Sequence, residues 1–252
     1  MTKPNYAEYS DPKLVAIYNK VNEHYPLERE FFLSLPKEIS AKKIIDIGCG
    51  TGMLTLELAR LGYEVIGVEP AEKMLEIARG DQGADKVKWI HGDALSLSEG
   101  NADLAIMTAH VFQFLLGDKY LAKVLSSINS SLKVGGYLAF DSRNNNIKIQ
   151  DLGWPTRDNP RYFESNTGEK FNWSVNVLEE KNNRATYEIY YTNERTSKEI
   201  ISVNELIFRS QKEITEYLNR AGFEVQKVYG DWDKSLVNST SPEFIFVAKK
   251  VR

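Results

Sequence analysis

The sequence predicts an α/β protein built on a mostly parallel sheet with helices on both of its faces. Between residues 42 and 141, short apolar strands alternate with amphipathic helices, and one further helix and two strands follow residue 205. Strands that are apolar throughout are typical of a parallel sheet covered on both faces. Residues 143–205 show instead the period-two alternation of antiparallel strands with one solvated face. We therefore expect a single domain over residues 1–252, with a β-rich insertion at 143–205.

The spacing of apolar residues predicts a helical cap over residues 1–40. Apolar residues recur at helical spacing after Asp11-Pro12 and again from Leu27 to Leu35. Pro36 is expected to end the second helix, because a proline lacks the amide donor that a helix interior needs. Both helices are amphipathic, so we expect them to pack against the elements that follow.

The core is expected to have five strands before the insertion and two after it. The predicted strands are Ile44–Ile47, Glu64–Glu69, Val87–His91, Ala102–Met107, Tyr137–Asp141, Glu224–Tyr229 and Phe244–Ala248. Helices are expected between them, including Asp118–Leu132 and Gln211–Ala221, the second ended by Gly222. Within the insertion, alternation over Thr186–Tyr191 and Lys198–Phe208 predicts strands joined at polar turns.

Composition excludes several classes of protein. The chain has 252 residues, with 32 Lys and Arg against 35 Asp and Glu, and it contains no long basic run. A dedicated nucleic-acid binder is therefore not expected. The single cysteine, Cys49, excludes an internal disulfide framework and fits a reducing compartment. No signal peptide and no apolar run of about 18 residues is visible, so we expect a cytoplasmic protein that does not span a membrane.

A glycine-rich loop follows the first strand of the predicted sheet. Its sequence, Asp46-Ile47-Gly48-Cys49-Gly50-Thr51-Gly52, lies where open α/β sheets bind ligands, outside the carboxyl ends of the strands. The spacing is G-x-G-x-G, whereas the dinucleotide fingerprint is G-x-G-x-x-G. No Lys-Ser or Lys-Thr pair follows, so a Walker-type phosphate loop is not expected.

Acidic residues end the next two strands. Glu69 ends the second strand, where a carboxylate accepts hydrogen bonds from both hydroxyls of a ribose. Asp93 follows the third strand and is placed to accept from the exocyclic amine of adenine. Three successive strand ends therefore offer a loop, a ribose carboxylate and an adenine carboxylate.

At these positions the chain resembles the class I S-adenosylmethionine-dependent methyltransferases. The matching stretches are Ile45–Gly52, Gly67–Pro70 with Met74-Leu75, Gly92-Asp93-Ala94, Asp103–Met107, Leu132–Leu138 and Ala221–Val225. The resemblance covers about residues 40–141 and 205–250. Two late stretches, Tyr229–Trp232 and Ser241–Phe244, look like the small-molecule branch of bacterial methyltransferases.

The resemblance implies a Rossmann-like, seven-stranded, mostly parallel sheet whose last strand is antiparallel. It also implies S-adenosylmethionine as cofactor, with S-adenosylhomocysteine as product. The glycines would approach the methionine part of the cofactor, Glu69 the ribose, and Asp93 with Ala94 the adenine. The expected cofactor-binding residues are Asp46, Gly48, Cys49, Gly50, Gly52, Glu69, Pro70, Met74, Asp93, Ala94 and Thr108. Cys49 is interpreted there as a small packing residue of the loop.

Candidate catalytic residues follow the fourth and fifth strands. His110 is the best candidate for a general base, because an unperturbed histidine titrates near neutral pH. Alternatively, it simply hydrogen-bonds a neighbouring loop. Arg143 either holds an anionic acceptor through paired hydrogen bonds or pairs with Asp141.

Aromatic residues are the remaining candidates for the substrate site. Tyr18, His24 and Tyr25 either close over the cofactor or pack on the sheet, and Trp232 is a further candidate for substrate contact. Aromatic residues of the insertion either line a pocket or form the core or a dimer face of a small sheet. These are Trp154, Tyr162, Trp173, Tyr190 and Tyr191. The three histidines are scattered without metal-ligand spacing, so no metal is expected.

The leading hypothesis is a methyltransferase for a nitrogen or oxygen atom of a small molecule, with the insertion as a substrate lid. A homodimer through the inserted strands is a possible assembly. Two alternatives keep the cofactor site: a binding protein without transfer activity, and an enzyme that methylates proteins or peptides by strand addition. A nicotinamide-dependent oxidoreductase is disfavoured by the shortened glycine pattern and by Asp93.

Overall fold

The structure is a computed structural model that describes residues 6–21, 26–165 and 168–252. The strands are β1 (Lys43–Ile47), β2 (Glu64–Glu69), β3 (Val87–His91), β4 (Ala102–Met107), β5 (Leu132–Arg143), β6 (Arg161–Glu164), β7 (Lys170–Lys181), β8 (Arg184–Asn193), β9 (Glu199–Ile207), β10 (Phe223–Tyr229) and β11 (Glu243–Lys250). The α-helices are α1 (Ala7–Ser10), α2 (Pro12–Val21), α3 (Pro26–Glu38), α4 (Met53–Arg60), α5 (Glu72–Gly80), α6 (Asp118–Ser131) and α7 (Gln211–Arg220).

The larger sheet has seven strands in the order β10-β11-β5-β4-β1-β2-β3. Its strands pair in parallel except for β11, which runs antiparallel to both β5 and β10. This confirms the predicted mostly parallel sheet with an antiparallel last strand. From β1 the chain builds outward to β2 and β3 on one side and crosses to β4 on the other. The carboxyl ends of β1 and β4 therefore form the crevice where such sheets bind ligands.

Both faces of this sheet are covered by apolar packing. Successive residues of a strand point to opposite faces, so Ile44 and Ile45 belong to two different buried clusters. One cluster includes residues of α6 and α7, and the other includes residues of α3 and α4. The helices thus lie on both faces of the sheet, as the apolar strands predict.

Two boundary predictions are wrong. Pro36 does not end its helix, because α3 continues to Glu38 with the proline buried in its last turn. A proline removes only its own amide donor, and the neighbouring Ala41 amide still donates to the Pro36 carbonyl at 2.8 Å. Strand β5 is also longer than predicted and includes Gly136. A side chain there would meet the Ala102 carbonyl oxygen of β4 at 3.1 Å, so this glycine allows close strand packing rather than preceding the strand.

The insertion forms a separate antiparallel sheet of four strands, in the order β6-β7-β8-β9. The antiparallel pairing and the Asn182-Asn183 turn agree with the prediction. Both asparagines have positive φ (53° and 59°), as a two-residue hairpin turn requires. Strand β7 was not predicted. Its pairing shifts register between Val177 and Glu179, which breaks the alternation that identifies a strand.

Helices α1 and α2 pack on this second sheet. Leu14 and Ile17 of α2 form a buried cluster with Tyr191 of β8, and the Tyr6 amide donates to the Val203 carbonyl at 3.3 Å. No helix of the described residues is long and apolar enough to cross a membrane. Val177 and Ile201 are partly exposed, but the dimer through the inserted strands stays a prediction.

Candidate active site

The glycine loop turns sharply between β1 and α4. The amides of Gly48 and Cys49 both donate to the Val68 carbonyl of β2, at 2.7 and 3.1 Å. Gly50 and Gly52 have φ values of +56° and +78°, a region that favours glycine. A methyl group on Gly52 would overlap the Trp89 ring at 2.7 Å, whereas one on Gly50 would meet nothing within 4 Å. Gly52 therefore allows Trp89 to pack closely against the loop, and Gly50 borders open space.

Glu69 lies beside this loop at the end of β2. Its Oε2 accepts from the Gly50 amide at 3.0 Å, and its Oε1 accepts from the Ala71 amide at 2.8 Å. The residue is 7% exposed, and burial raises the pKa of its carboxyl. A carboxylate has about four acceptor positions, so each oxygen retains capacity for a further donor.

Asp46 is a buried carboxyl beneath the loop. Thr55 donates its hydroxyl to Asp46 Oδ2 at 2.6 Å, whereas Oδ1 has no hydrogen-bond partner among the described residues. Burial, with a smaller contribution from the charge of Glu69, raises the pKa of Asp46 to about 6. Buried polar atoms normally have a partner, so this oxygen fits contact with a donor group of a ligand, directly or through water.

Asp93 lies at the end of β3 and is engaged by two donors. The Leu95 amide donates to Oδ1 at 2.9 Å, and the Tyr120 hydroxyl donates to Oδ2 at 2.5 Å. Burial and the Asp93 charge raise the pKa of Tyr120, which keeps the phenol protonated as a donor. Tyr120 was missed by the sequence analysis, because nothing in the periodicity of α6 relates it to β3.

The remaining predicted cofactor residues lie around these strand ends. Pro70 is exposed, Met74 and Ala94 are buried at 1% and 3%, and Thr108 is half-buried after β4. Cys49 is half-buried in the loop, and burial raises the pKa of its thiol, which fits a packing role.

Helix α2 contacts the glycine loop. The Thr51 hydroxyl donates to Asn19 Oδ1 at 2.5 Å, so the N-terminal helices close one side of the crevice. Tyr18 of the same helix lines a neighbouring cavity. His24 and Tyr25, which the sequence offered beside Tyr18, lie outside the described residues.

The cavity has a volume of about 140 Å³ and lies between α1, α2, the second sheet and the carboxyl ends of β4 and β5. Seven aromatic residues supply much of its wall, namely Tyr9, Tyr18, Phe114, Trp154, Trp173, Tyr187 and Tyr191. Besides the tyrosines, the wall contains four residues with ionisable side chains: Glu8, Glu28, His110 and Arg143. Of the predicted aromatic residues of the insertion, Trp154, Trp173 and Tyr191 line the cavity. Tyr162 is instead 62% exposed, and Tyr190 lies under the Arg157 guanidinium.

His110 is held by two carboxylates. Its backbone amide donates to Asp141 Oδ2 at 2.9 Å, and its Nε2 lies 2.9 Å from Glu243 Oε1 and 3.3 Å from Asp141 Oδ2. Burial and the charge of Arg143 lower the pKa of His110 to about 3. A neutral imidazole that donates Nε2–H to Glu243 fits this geometry. The structure therefore does not support His110 as a general base, because its pKa is far below neutral.

Carboxyl groups near His110 have raised pKa values. Burial is the main cause for Glu28, Asp141 and Glu243, and each pKa rises to about 7. Glu28 also accepts from the Ala109 amide at 2.7 Å, so it lies at the end of β4. The His110, Asp141 and Glu243 ligand atoms lie within 4.8 Å of one another, a grouping the sequence spacing did not show. The absence of a metal stays a prediction.

Arg143 lines the cavity, and it forms no ion pair with Asp141, which is also a described residue. Its Nη1 donates to Gln113 Oε1 at 3.0 Å, and its guanidinium lies 5.4 Å from the centre of the Trp154 ring. Of the two predicted roles, the ion pair with Asp141 is wrong, because fully buried Gln113 accepts the guanidinium instead.

Trp232 does not lie in the cavity. It packs against Phe31 and Phe32 of α3 at ring-centre distances of 5.8 and 5.7 Å. This packing explains the residue as part of the core, and its contact with a substrate stays a prediction.

The strand order, the glycine loop and the acidic groups at successive strand ends define the class I methyltransferase fold. A family model described as a methyltransferase domain matches residues 44–136. A protein of Geobacillus sp. (strain WCH70), described as a candidate methyltransferase, is 29% identical, over 83% of this chain and 85% of its own. The glycine/sarcosine N-methyltransferase of Aphanothece halophytica is 26% identical, over 88% of this chain and 82% of its own.

The solved structures agree with this assignment. An S-adenosylmethionine-dependent methyltransferase from Clostridium acetobutylicum superposes with a TM-score of 0.76 at 18% identity, covering 94% of this chain and 97% of its own. At that identity the likeness shows the fold. This fold and the sequence matches together support an S-adenosylmethionine-dependent methyltransferase. The nicotinamide-dependent alternative is thereby set aside.

The residues present fit the cofactor of this family. The unpartnered Asp46 Oδ1 accepts an amino-group donor or a bridging water, and the open space beside Gly50 admits a ligand against the backbone. Glu69 has acceptor capacity left for ribose hydroxyls. Asp93 is already engaged by Tyr120, which leaves fewer acceptor positions for an adenine amine.

Proposed function

We propose that this methyltransferase transfers a methyl group to a nitrogen or oxygen atom of a small molecule that binds in the cavity described above. S-adenosylmethionine supplies an electrophilic methyl group when it is bound. The chain then has to hold an acceptor with an available lone pair beside that group and to exclude water, because proximity and orientation lower much of such a barrier.

The aromatic-lined cavity is the observation that carries this proposal. It borders Ala109 and His110 at the end of β4, next to the crevice where the glycine loop lies. Its volume of about 140 Å³ is smaller than the roughly 300–1,000 Å³ of pockets for drug-sized ligands. A cavity of this size favours a small acceptor, or the small reacting end of a larger one, over a folded protein or a nucleic acid.

The N-terminal segment and the insertion cover this cavity. We infer that residues 143–205 serve as a substrate lid and that residues 1–40 serve as a cap. Trp173 and Tyr191 of the insertion and Tyr9 and Tyr18 of the N-terminal helices all line the cavity. The glycine/sarcosine N-methyltransferase among the relatives supports a small acceptor of this kind.

Methyl transfer from radiolabelled S-adenosylmethionine tests the proposal. The purified protein is incubated with separate pools of small amines, phenols, a protein mixture and oligonucleotides, and the Glu69→Ala variant serves as the control. We expect label in one of the small-molecule pools, in an amount that falls at least tenfold in the control. Label only in the protein pool contradicts the small-molecule acceptor. Cofactor binding with no transfer to any pool supports instead a binding protein without transfer activity.

A further inference from the structure

We propose that the acceptor is an amine that enters the cavity as its ammonium cation, held by the Glu8 carboxylate and the surrounding aromatic rings, and that it gives one proton to that carboxylate before its nitrogen lone pair takes the methyl group. This inference rests on the proposed function, because it names the chemical class of acceptor for the same site. It assigns Glu8 a role in substrate recognition that the sequence analysis did not anticipate.

Glu8 is a buried carboxylate of α1 that lines the cavity. It is 6% exposed, and the Tyr191 hydroxyl donates to its Oε2 at 3.2 Å. Tyr9 and Asn204 are its other side-chain hydrogen-bond partners. These partners are all neutral, and no Lys or Arg of the described residues forms an ion pair with Glu8.

A buried carboxylate without a cation is unfavourable. Burial raises the pKa of Glu8 to about 7, and hydrogen bonds from its neutral neighbours offset only part of this effect. Buried charges in proteins are normally paired, so an unpaired carboxylate in a cavity wall fits a positive charge that arrives with the ligand. An alcohol or a phenol brings no such charge.

The cation of the cavity wall is already balanced by other groups. The Arg143 guanidinium stabilises the charged forms of Glu28 and Glu243, because it lowers the pKa of both carboxyls against the effect of burial. Its own position is fixed by Gln113 and by the Trp154 ring. His110 is neutral at pH 7, since its pKa is lowered to about 3. Among the residues that the structure describes, Glu8 is therefore the carboxylate of the wall that lacks a compensating cation.

Aromatic faces add a second element of cation recognition. Tyr9, Tyr18, Trp173, Tyr187 and Tyr191 surround the same space as Glu8. The face of an aromatic ring attracts a cation, most strongly when the site is desolvated. An acidic group among several rings is a favourable setting for an ammonium ion and an unfavourable one for an anion.

The test compares a charged probe with a neutral one of similar size. Tetramethylammonium and 2,2-dimethylpropan-1-ol are titrated into the protein, and binding is followed by tryptophan fluorescence, because Trp154 and Trp173 line the cavity. The variants are Glu8→Gln, which keeps a hydrogen-bond acceptor for Tyr191, and Glu64→Gln as a matched control. Glu64 lies at the other end of β2, where it pairs with Lys43 on the surface.

We expect the wild-type protein to bind tetramethylammonium at least tenfold more tightly than the alcohol. Glu8→Gln should lose at least tenfold in that affinity, while Glu64→Gln should not. Equal affinity of the wild type for both probes overturns the proposal, and this comparison does not depend on the folding of any variant. Unchanged affinity in a folded Glu8→Gln variant overturns it as well.

Binding of S-adenosylhomocysteine to the same preparations separates the two levels of inference. Wild-type protein that binds S-adenosylhomocysteine but not tetramethylammonium overturns the ammonium acceptor and leaves the methyltransferase function in place. Protein that binds tetramethylammonium but not S-adenosylhomocysteine contradicts the proposed function instead.

Discussion

Glu69 and Gly50 are joined by a hydrogen bond of 3.0 Å from the glycine amide to the carboxylate Oε2. This bond ties the end of β2 to the middle of the glycine loop, so one side chain both shapes the loop and faces its ligand. The other carboxylate oxygen accepts from Ala71 and orients the start of the next helix. Loop and carboxylate thus form one unit, and changes to either should affect cofactor binding.

The variants Gly50→Ala and Gly52→Ala should show different defects, because Gly50 borders space for a ligand and Gly52 packs against Trp89. An alanine at φ +56° costs about 1–2 kcal/mol, and its methyl group occupies the open space beside Gly50. We expect Gly50→Ala to fold but to bind S-adenosylhomocysteine at least tenfold more weakly. Gly52→Ala should lose roughly 1–3 kcal/mol more stability, because its methyl group overlaps Trp89.

Denaturant unfolding and calorimetry of both variants measure these effects. Tight binding of S-adenosylhomocysteine by a folded Gly50→Ala variant would contradict a ligand at this position. Equal stability of the two variants would show that Trp89 moves aside without cost.

In the absence of a ligand, the Glu8→Gln variant should be more stable than the wild type at alkaline pH. The pKa of Glu8 rises on folding from 4.5 to about 7, so its protonated form is favoured in the folded state. The stability from that form is fully present below about pH 4.5 and is lost as the pH rises to about 7. The loss amounts to about 3 kcal/mol at most, and the variant avoids it.

Unfolding free energies at pH 4.5, 6 and 8 test this prediction through the difference between variant and wild type, which cancels the other titrating groups. The difference should be close to zero at pH 4.5 and should favour the variant at pH 8. A difference that does not change with pH would mean that Glu8 is not desolvated as the structure shows.

His110 should stay neutral across the physiological range. Its pKa is lowered to about 3 by burial and by the charge of Arg143, so its ring should not titrate between pH 5.5 and 8. Proton NMR of the imidazole resonances, assigned by comparison with a His110→Asn variant, measures this directly. A midpoint between pH 6 and 7 for the His110 resonance would restore it as a general-base candidate.

The strand ends of the parallel core were the part that the sequence predicted well. The bounds of β2, β3 and β4 match the predictions, because their apolar runs are short and bounded by clear turns. Strand β7 was missed because the register shift between Val177 and Glu179 breaks its alternation and a charged run, Glu179-Glu180-Lys181, follows the shift. Local pattern therefore identified the parallel core better than the insertion.

The cavity could not be predicted in the same way. Glu8, Glu28, His110 and Glu243 are distant in sequence and meet only through the packing of α1, α3 and the two sheets. The burial that lowers the pKa of His110 and raises that of Glu8 is equally a property of the folded chain. Residue type alone suggested a base at His110 and gave no indication of Glu8.

Calorimetry with S-adenosylhomocysteine on the wild type and on Glu69→Ala tests the central claim, the cofactor site at the ends of β1 and β2, most directly. Removal of the carboxylate should cost about 1.5–3 kcal/mol, or tenfold and more in affinity. Glu69→Gln, which keeps one acceptor oxygen, should fall between the two. Micromolar binding by the wild type that collapses in Glu69→Ala is the predicted result. No binding by the wild type, or equal binding by a folded Glu69→Ala variant, would contradict the site.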